Sequence, residues 1–171
     1  MIRYRWVMML ALLAGAGLVS CDTVTEPAWK KIEFLLGPWT GVAGEKDTPL
    51  AAGQGDFSFE LQLNQKIIVR RNRAEYSSGA THDDLMVIYL DDASGAGRPQ
   101  AIFFDSEGHV IRYSMTVPKV DMVVFESDGA AAGPRYRLSY WLEKGLLNGK
   151  FEVAPPGSGY QTYLNWTAKR R

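Results

Sequence analysis

Asp56-Phe57-Ser58-Phe59-Glu60-Leu61-Gln62-Leu63 alternates polar and apolar residues without a break. A period of two places Phe57, Phe59, Leu61 and Leu63 on one face of an extended strand and leaves the other face polar. Leu63-Asn64-Gln65-Lys66 turns the chain into a second run over 67–76. A third run covers 83–90 and ends in the turn cluster Asp91-Asp92-Ala93-Ser94-Gly95. Runs at 101–105 and 109–117 flank Ser106-Glu107-Gly108, a hairpin signal. Further runs follow at 122–126, 135–142, 146–153 and 162–168, and another begins after Trp39. The count reaches about ten short strands joined mostly by tight turns. Such a meander builds one antiparallel sheet with an apolar and a polar face. A sheet of that many strands curls and closes to remove its edges. The expected fold is therefore all-β, a closed up-and-down antiparallel barrel. A two-sheet sandwich is the alternative, but it usually needs longer crossovers than these turns provide. A barrel of this size has an interior that side chains nearly fill, or that one small ligand can share.

Upstream of the strands, the stretch 27–37 reads as one short helix. Pro27 stands at its start, Trp29, Ile32 and Leu36 share a face, and Gly37-Pro38 stops it. Earlier still, Arg3 and Arg5 precede an apolar run from Trp6 to Val19, too short to span a bilayer comfortably. The run ends in Leu18-Val19-Ser20-Cys21, small residues typical of a cleaved secretory signal. These four residues resemble a bacterial lipobox. The resemblance implies lipidation of Cys21 and export to the cell envelope on the periplasmic side, with the membrane as a partner through the anchor. The expected organisation is a signal peptide over 1–20, a lipidated tether over 21–27 and the barrel over 28–171. Cys21 is the only cysteine of the 171 residues, so no internal disulfide is available.

The chain balances 19 basic against 19 acidic residues, and loss of Arg3 and Arg5 with the leader leaves 17 against 19. Without a long basic run there is no electrostatic footprint for nucleic acid.

Phe34-Leu35-Leu36-Gly37-Pro38-Trp39-Thr40-Gly41, a short helix running into Gly-x-Trp, resembles the opening of calycin barrels, the superfamily of lipocalins, fatty-acid-binding proteins and nitrobindin-type heme-binding domains. The ending Lys169-Arg170-Arg171 is similar too, because lipocalins often stack a late Arg on the opening Trp. The stretches 82–89 and 104–110 resemble a family of bacterial secreted proteins. Together these imply a barrel that binds a small, mostly hydrophobic molecule or lipid.

Strand parity nominates the residues facing such a ligand. In the run after Gly108, His109, Ile111, Tyr113, Met115 and Val117 share a face, with His109 expected near the mouth. In the second run Arg70 and Asn72 lie opposite Arg71, Arg73 and Glu75, so the first pair is expected inside. Tyr136, Leu138, Tyr140 and Leu142 form another inward row, and Phe151 and Val153 point inward by the same logic. The candidate ligand-binding set is thus Arg70, Asn72, His109, Tyr113, Tyr136 and Tyr140. Arg70 is read either as a fork for an anionic head group or as the partner of a carboxylate such as Asp84 or Asp105 in a plugged barrel.

Chemistry beyond binding finds little support in the residues. His82 and His109 are the only histidines. Asp83, Asp84 and Asp105 could join them on a metal, yet His82, Asp83 and Asp84 alternate faces and cannot all converge. No metal site is expected from this pattern. Nitrobindin-type domains take their axial histidine late in the chain, where this sequence offers only Tyr163, so no cofactor is expected. No Gly-x-Ser-x-Gly elbow exists to present a nucleophile. The expectation is a non-enzymatic binder. The alternatives are a structural or interaction barrel with a filled core, and a heme-binding barrel.

Overall fold

The computed structural model describes residues 27–42, 54–76, 79–92, 97–129 and 133–171. Its strands are β1 (Gly37–Val42), β2 (Gln54–Gln62), β3 (Ile67–Glu75), β4 (Thr81–Asp91), β5 (Arg98–Asp105), β6 (Val110–Lys119), β7 (Met122–Ser127), β8 (Arg135–Glu143), β9 (Leu146–Ala154) and β10 (Gln161–Arg170). Each pairs antiparallel with its neighbours in sequence, and β1 closes on β10 to complete a ten-stranded barrel. The stretch expected to be a signal peptide, Cys21 and most of the expected tether lie outside the described residues.

The inward rows are those the alternation dictates. Phe57 and Phe59 of β2, Ile68 and Arg70 of β3, Met86 and Ile88 of β4, Tyr113 and Met115 of β6, and Leu138 and Tyr140 of β8 are all buried. Aromatic edges meet faces through this core. Phe59 lies 5.4 Å from Tyr140 and Tyr140 5.7 Å from Trp166, both T-shaped. That geometry sets the positive ring edge against the negative ring face.

The segment before β1 departs from the single helix expected over 27–37. One α-turn, α1 (Pro27–Lys30), is followed by a 3-10 turn at Glu33–Leu35, and Gly37 already belongs to β1. The bonds Ile32 N to Trp29 O, Leu35 N to Ile32 O and Leu36 N to Glu33 O all reach back three residues. Residues three apart eclipse in such a turn. The buried stripe is therefore Trp29, Ile32 and Leu35, each at most 1% exposed, while Leu36 is only half-buried. This stripe plugs one end of the barrel. Trp29 Nε1 donates to Gln65 O at 2.9 Å, in the β2–β3 turn where Leu63, Asn64 and Gln65 all take positive φ.

The plug leaves carbonyls unpaired at its end, as every helical turn does. Trp39 Nε1 donates to Leu35 O at 2.7 Å, and Arg170 donates to Leu36 O at 2.5 Å and to Phe34 O at 3.2 Å. The Arg170 guanidinium also lies 4.4 Å over the Trp39 ring, the late-Arg-on-Trp contact anticipated from the resemblance. Arg170→Ala should destabilise the barrel by about 1–2 kcal/mol, since a cation–π contact and two charge-assisted bonds go while the site stays solvent-screened. Arg170→Lys should recover only part of that, because an ammonium has no fork to reach two carbonyls. Urea midpoints of the three proteins measure both effects.

Candidate functional site: the open barrel mouth

Burial of the inward face is graded along the barrel axis. On β3, Ile68 and Arg70 are buried while Asn72 and Ala74 are half-buried. On β5 and β6, Ala101 and Tyr113 are buried while Phe103 and Ile111 are half-buried. On β8, Leu138 and Tyr140 are buried and Tyr136 is half-buried. Exposure increases from the middle of the barrel toward the end carrying the β3–β4 and β5–β6 turns, and at the opposite end Val117 and Leu142 are half-buried as well. The helical plug closes the opposite end, so the barrel has one mouth.

The floor of the mouth is polar. Arg70, 5% exposed, forms an ion pair with the Asp84 carboxylate, and Asn72 Nδ2 donates to Asp84 Oδ2 at 2.8 Å. Cross-strand register explains the meeting: Asn72 stands opposite Asp84, and Arg70 opposite Met86. The Phe57 ring lies 5.4 Å from the guanidinium. Burial alone would pull the Arg70 pKa down, but Asp84 outweighs it and holds the group above its ordinary value. Burial pushes the Tyr140 hydroxyl up to about 12, opposed by Arg70. It raises Tyr113 as well. Both phenols are therefore neutral hydrogen-bonding groups at physiological pH.

The walls above this floor are aromatic. Tyr136 and Phe151 stack at 5.9 Å with an interplanar angle of 7°, and Tyr163 meets Phe151 edge-on at 6.1 Å on the rim. Tyr163 follows from a β-bulge in the β9–β10 pairing between Thr162 and Leu164, and it is 59% exposed.

Five of the six residues nominated from parity face inward: Arg70, Tyr113 and Tyr140 at the floor, Asn72 just above them, and Tyr136 on the wall. Of the two expected carboxylates, Arg70 takes Asp84. His109 is corrected. It precedes β6 in the turn, its side chain is 65% exposed, and its Nδ1 faces Asp105 Oδ2 at 2.8 Å. Strand parity cannot be extended into a turn, because Gly108 there has φ +90° and breaks the alternation.

His82 was missed as an inward residue, although counting back by two from Ile88 and Met86 through Asp84 reaches it. Its Nε2 lies 3.5 Å from Asp84 Oδ2 and its Nδ1 3.0 Å from the Glu107 carboxylate. Asp84 foremost, then Glu107, push the His82 pKa up to about 9 against the effect of burial. At Asp105, burial opposes charge, but hydrogen bonds from His109 and Glu107 outweigh it and lower the pKa.

These positions do not fit an axial heme ligand. Both His82 ring nitrogens face carboxylates, those of Asp84 and Glu107. His109 stands on the exposed turn, and Tyr163 lies on the rim against Phe151. A concavity of about 640 Å³ is lined by Arg71, Arg73, Asp83, Leu85 and Phe104 of the outer wall and also by Phe57, Asn72, Asp84 and Asp105 of the mouth.

No protein-family model matches the chain, and no curated protein matches it. Among solved structures it is similar to the crystal structure of Rv2717c from M. tuberculosis, at 13% identity and a TM-score of 0.57. The match covers 85% of this chain and 98% of that one. At that identity the likeness speaks for the barrel fold alone.

Proposed function

We propose that this is an exported, lipid-anchored envelope protein whose barrel takes a small, mostly hydrophobic molecule through its mouth and performs no catalysis on it. The graded burial of the inward face carries the reading. A plugged end, a packed middle and half-buried aromatics around one opening give a site with apolar walls and a few convergent polar groups. The occupant favoured by the floor is neutral. Asp84 already matches the Arg70 charge, and a buried anion would have to compete with that carboxylate for the guanidinium. A hydroxyl or carbonyl at one end of the molecule suits Asn72 and the neutral phenols.

Native mass spectrometry of the full chain, extracted in mild detergent from its own host, tests both halves of the proposal. The expected spectrum has a bound small molecule and a chain that begins at an acylated Cys21. Ile111→Trp, which narrows the mouth from β6, should weaken uptake of a hydrophobic fluorophore by about tenfold or more, equivalent to about 1.4 kcal/mol. A mass with no ligand, together with no fluorophore uptake by the unaltered chain, would replace this reading with that of a filled structural barrel.

A further inference from the structure

Three potential metal donors converge on the rim of the mouth from two parts of the chain. His82 comes from β4, Asp105 from the end of β5 and Glu107 from the β5–β6 turn, and one ligand atom of each lies within 4.8 Å of the others. We propose that His82, Asp105 and Glu107 hold a divalent transition-metal ion of the zinc type. One imidazole nitrogen and two carboxylate oxygens are donors such an ion accepts, whereas calcium and magnesium favour oxygen alone. Zinc bonds of about 2.0–2.2 Å put neighbouring donors about 3.4 Å apart in a tetrahedron. The Nδ1 of His82 and the Glu107 carboxylate are already 3.0 Å apart. Donors that lie within 4.8 Å of one another must close by at most about 1.4 Å to reach that spacing, and Glu107, on an exposed turn with its side chain 52% accessible, has the most freedom to move.

The surroundings of the donors are a second and independent observation. A ligating histidine usually turns its other ring nitrogen to a carboxylate that fixes the ring. His82 does so with Asp84, whose side chain is 5% exposed and is itself held by Arg70 and Asn72. Asp105 is fixed just as firmly. Its side chain is 6% exposed, its Oδ1 accepts the backbone N–H groups of Glu107 at 3.1 Å and His109 at 2.9 Å, and its Oδ2 faces the His109 ring. The two less mobile donors thus have outer partners that hold them in place, and the third can move to close the site. Asp84 and His109 are positioning residues in this arrangement. With three protein donors, at least one coordination place remains for water or for a polar group entering the mouth.

The test uses the full chain in detergent, stripped with a chelator and titrated calorimetrically with zinc chloride. One ion per chain should bind, and X-ray absorption of the zinc complex should register an imidazole nitrogen about 2.0 Å from the metal. Glu107→Gln lies on an exposed turn and leaves the barrel intact, and it should weaken binding at least tenfold. His82→Ala should weaken it further. Asp84→Asn, which touches no metal, should cost about 10–100-fold. Zinc uptake that is unchanged in both Glu107→Gln and His82→Ala would overturn the site, as would a metal spectrum without imidazole. Neither result depends on whether the barrel carries a hydrophobic ligand.

Discussion

Replacing Arg70 by Met is expected to destabilise the barrel by about 3–5 kcal/mol, the usual cost of stranding one member of a buried ion pair. Arg70 is 5% exposed and the Asp84 side chain likewise. With the guanidinium gone, Asp84 keeps the amide of Asn72 and the His82 ring at 3.5 Å but loses its closest countercharge. The double variant Arg70→Met/Asp84→Leu should recover most of the loss, because it removes both charges and leaves apolar side chains of similar volume among Phe57, Phe59 and Met86. Equilibrium urea unfolding of the single and double variants closes the cycle. A single variant within about 1 kcal/mol of the parent would mean that water reaches the pair and that the floor of the mouth is wet.

Substitution of Gly149 should act through volume. Gly149 stands opposite Tyr140 on one side and Trp166 on the other. A Cβ there would lie 2.2 Å from both Cε2 and Cζ2 of Trp166. An indole ring cannot yield a few tenths of an ångström as a long aliphatic chain can, so the whole ring must leave its place against Tyr140. Gly149→Ala should cost about 3 kcal/mol, the upper part of the range for overpacking, and lower the Tm by roughly 6–12 °C in a domain of this size. The near-UV circular dichroism should change with it as the Tyr140–Trp166 contact goes. Gly149→Ala/Trp166→Leu should regain part of the stability. A fully stable Gly149→Ala would mean that the indole has a second position open to it inside the barrel.

Much of this could be read from the residues alone. Polarity alternating with period two is a local property, and it located the strands and most inward side chains, including Arg70, Tyr113 and Tyr140. It did not reach His109, since parity lapses at a glycine turn. It also misjudged the segment before β1, where a choice between i−4 and i−3 bonding decided whether Leu36 or Leu35 enters the core. That choice follows from the shape of the barrel end being plugged, to which Trp29 is tied by Gln65 O.

What the sequence by itself determined is the class of fold and the inward face of several strands, because both depend on neighbours one and two residues away. The tertiary structure alone decided which inward residues meet. Asp84 rather than Asp105 pairs with Arg70, and His82 faces Glu107 across 25 positions of chain. Gly149 leaves the space that the Trp166 ring occupies. Those meetings are set by the register between strands and by the closure of β1 on β10. Register comes from the sum of many cross-strand contacts, and no single stretch of sequence contains it.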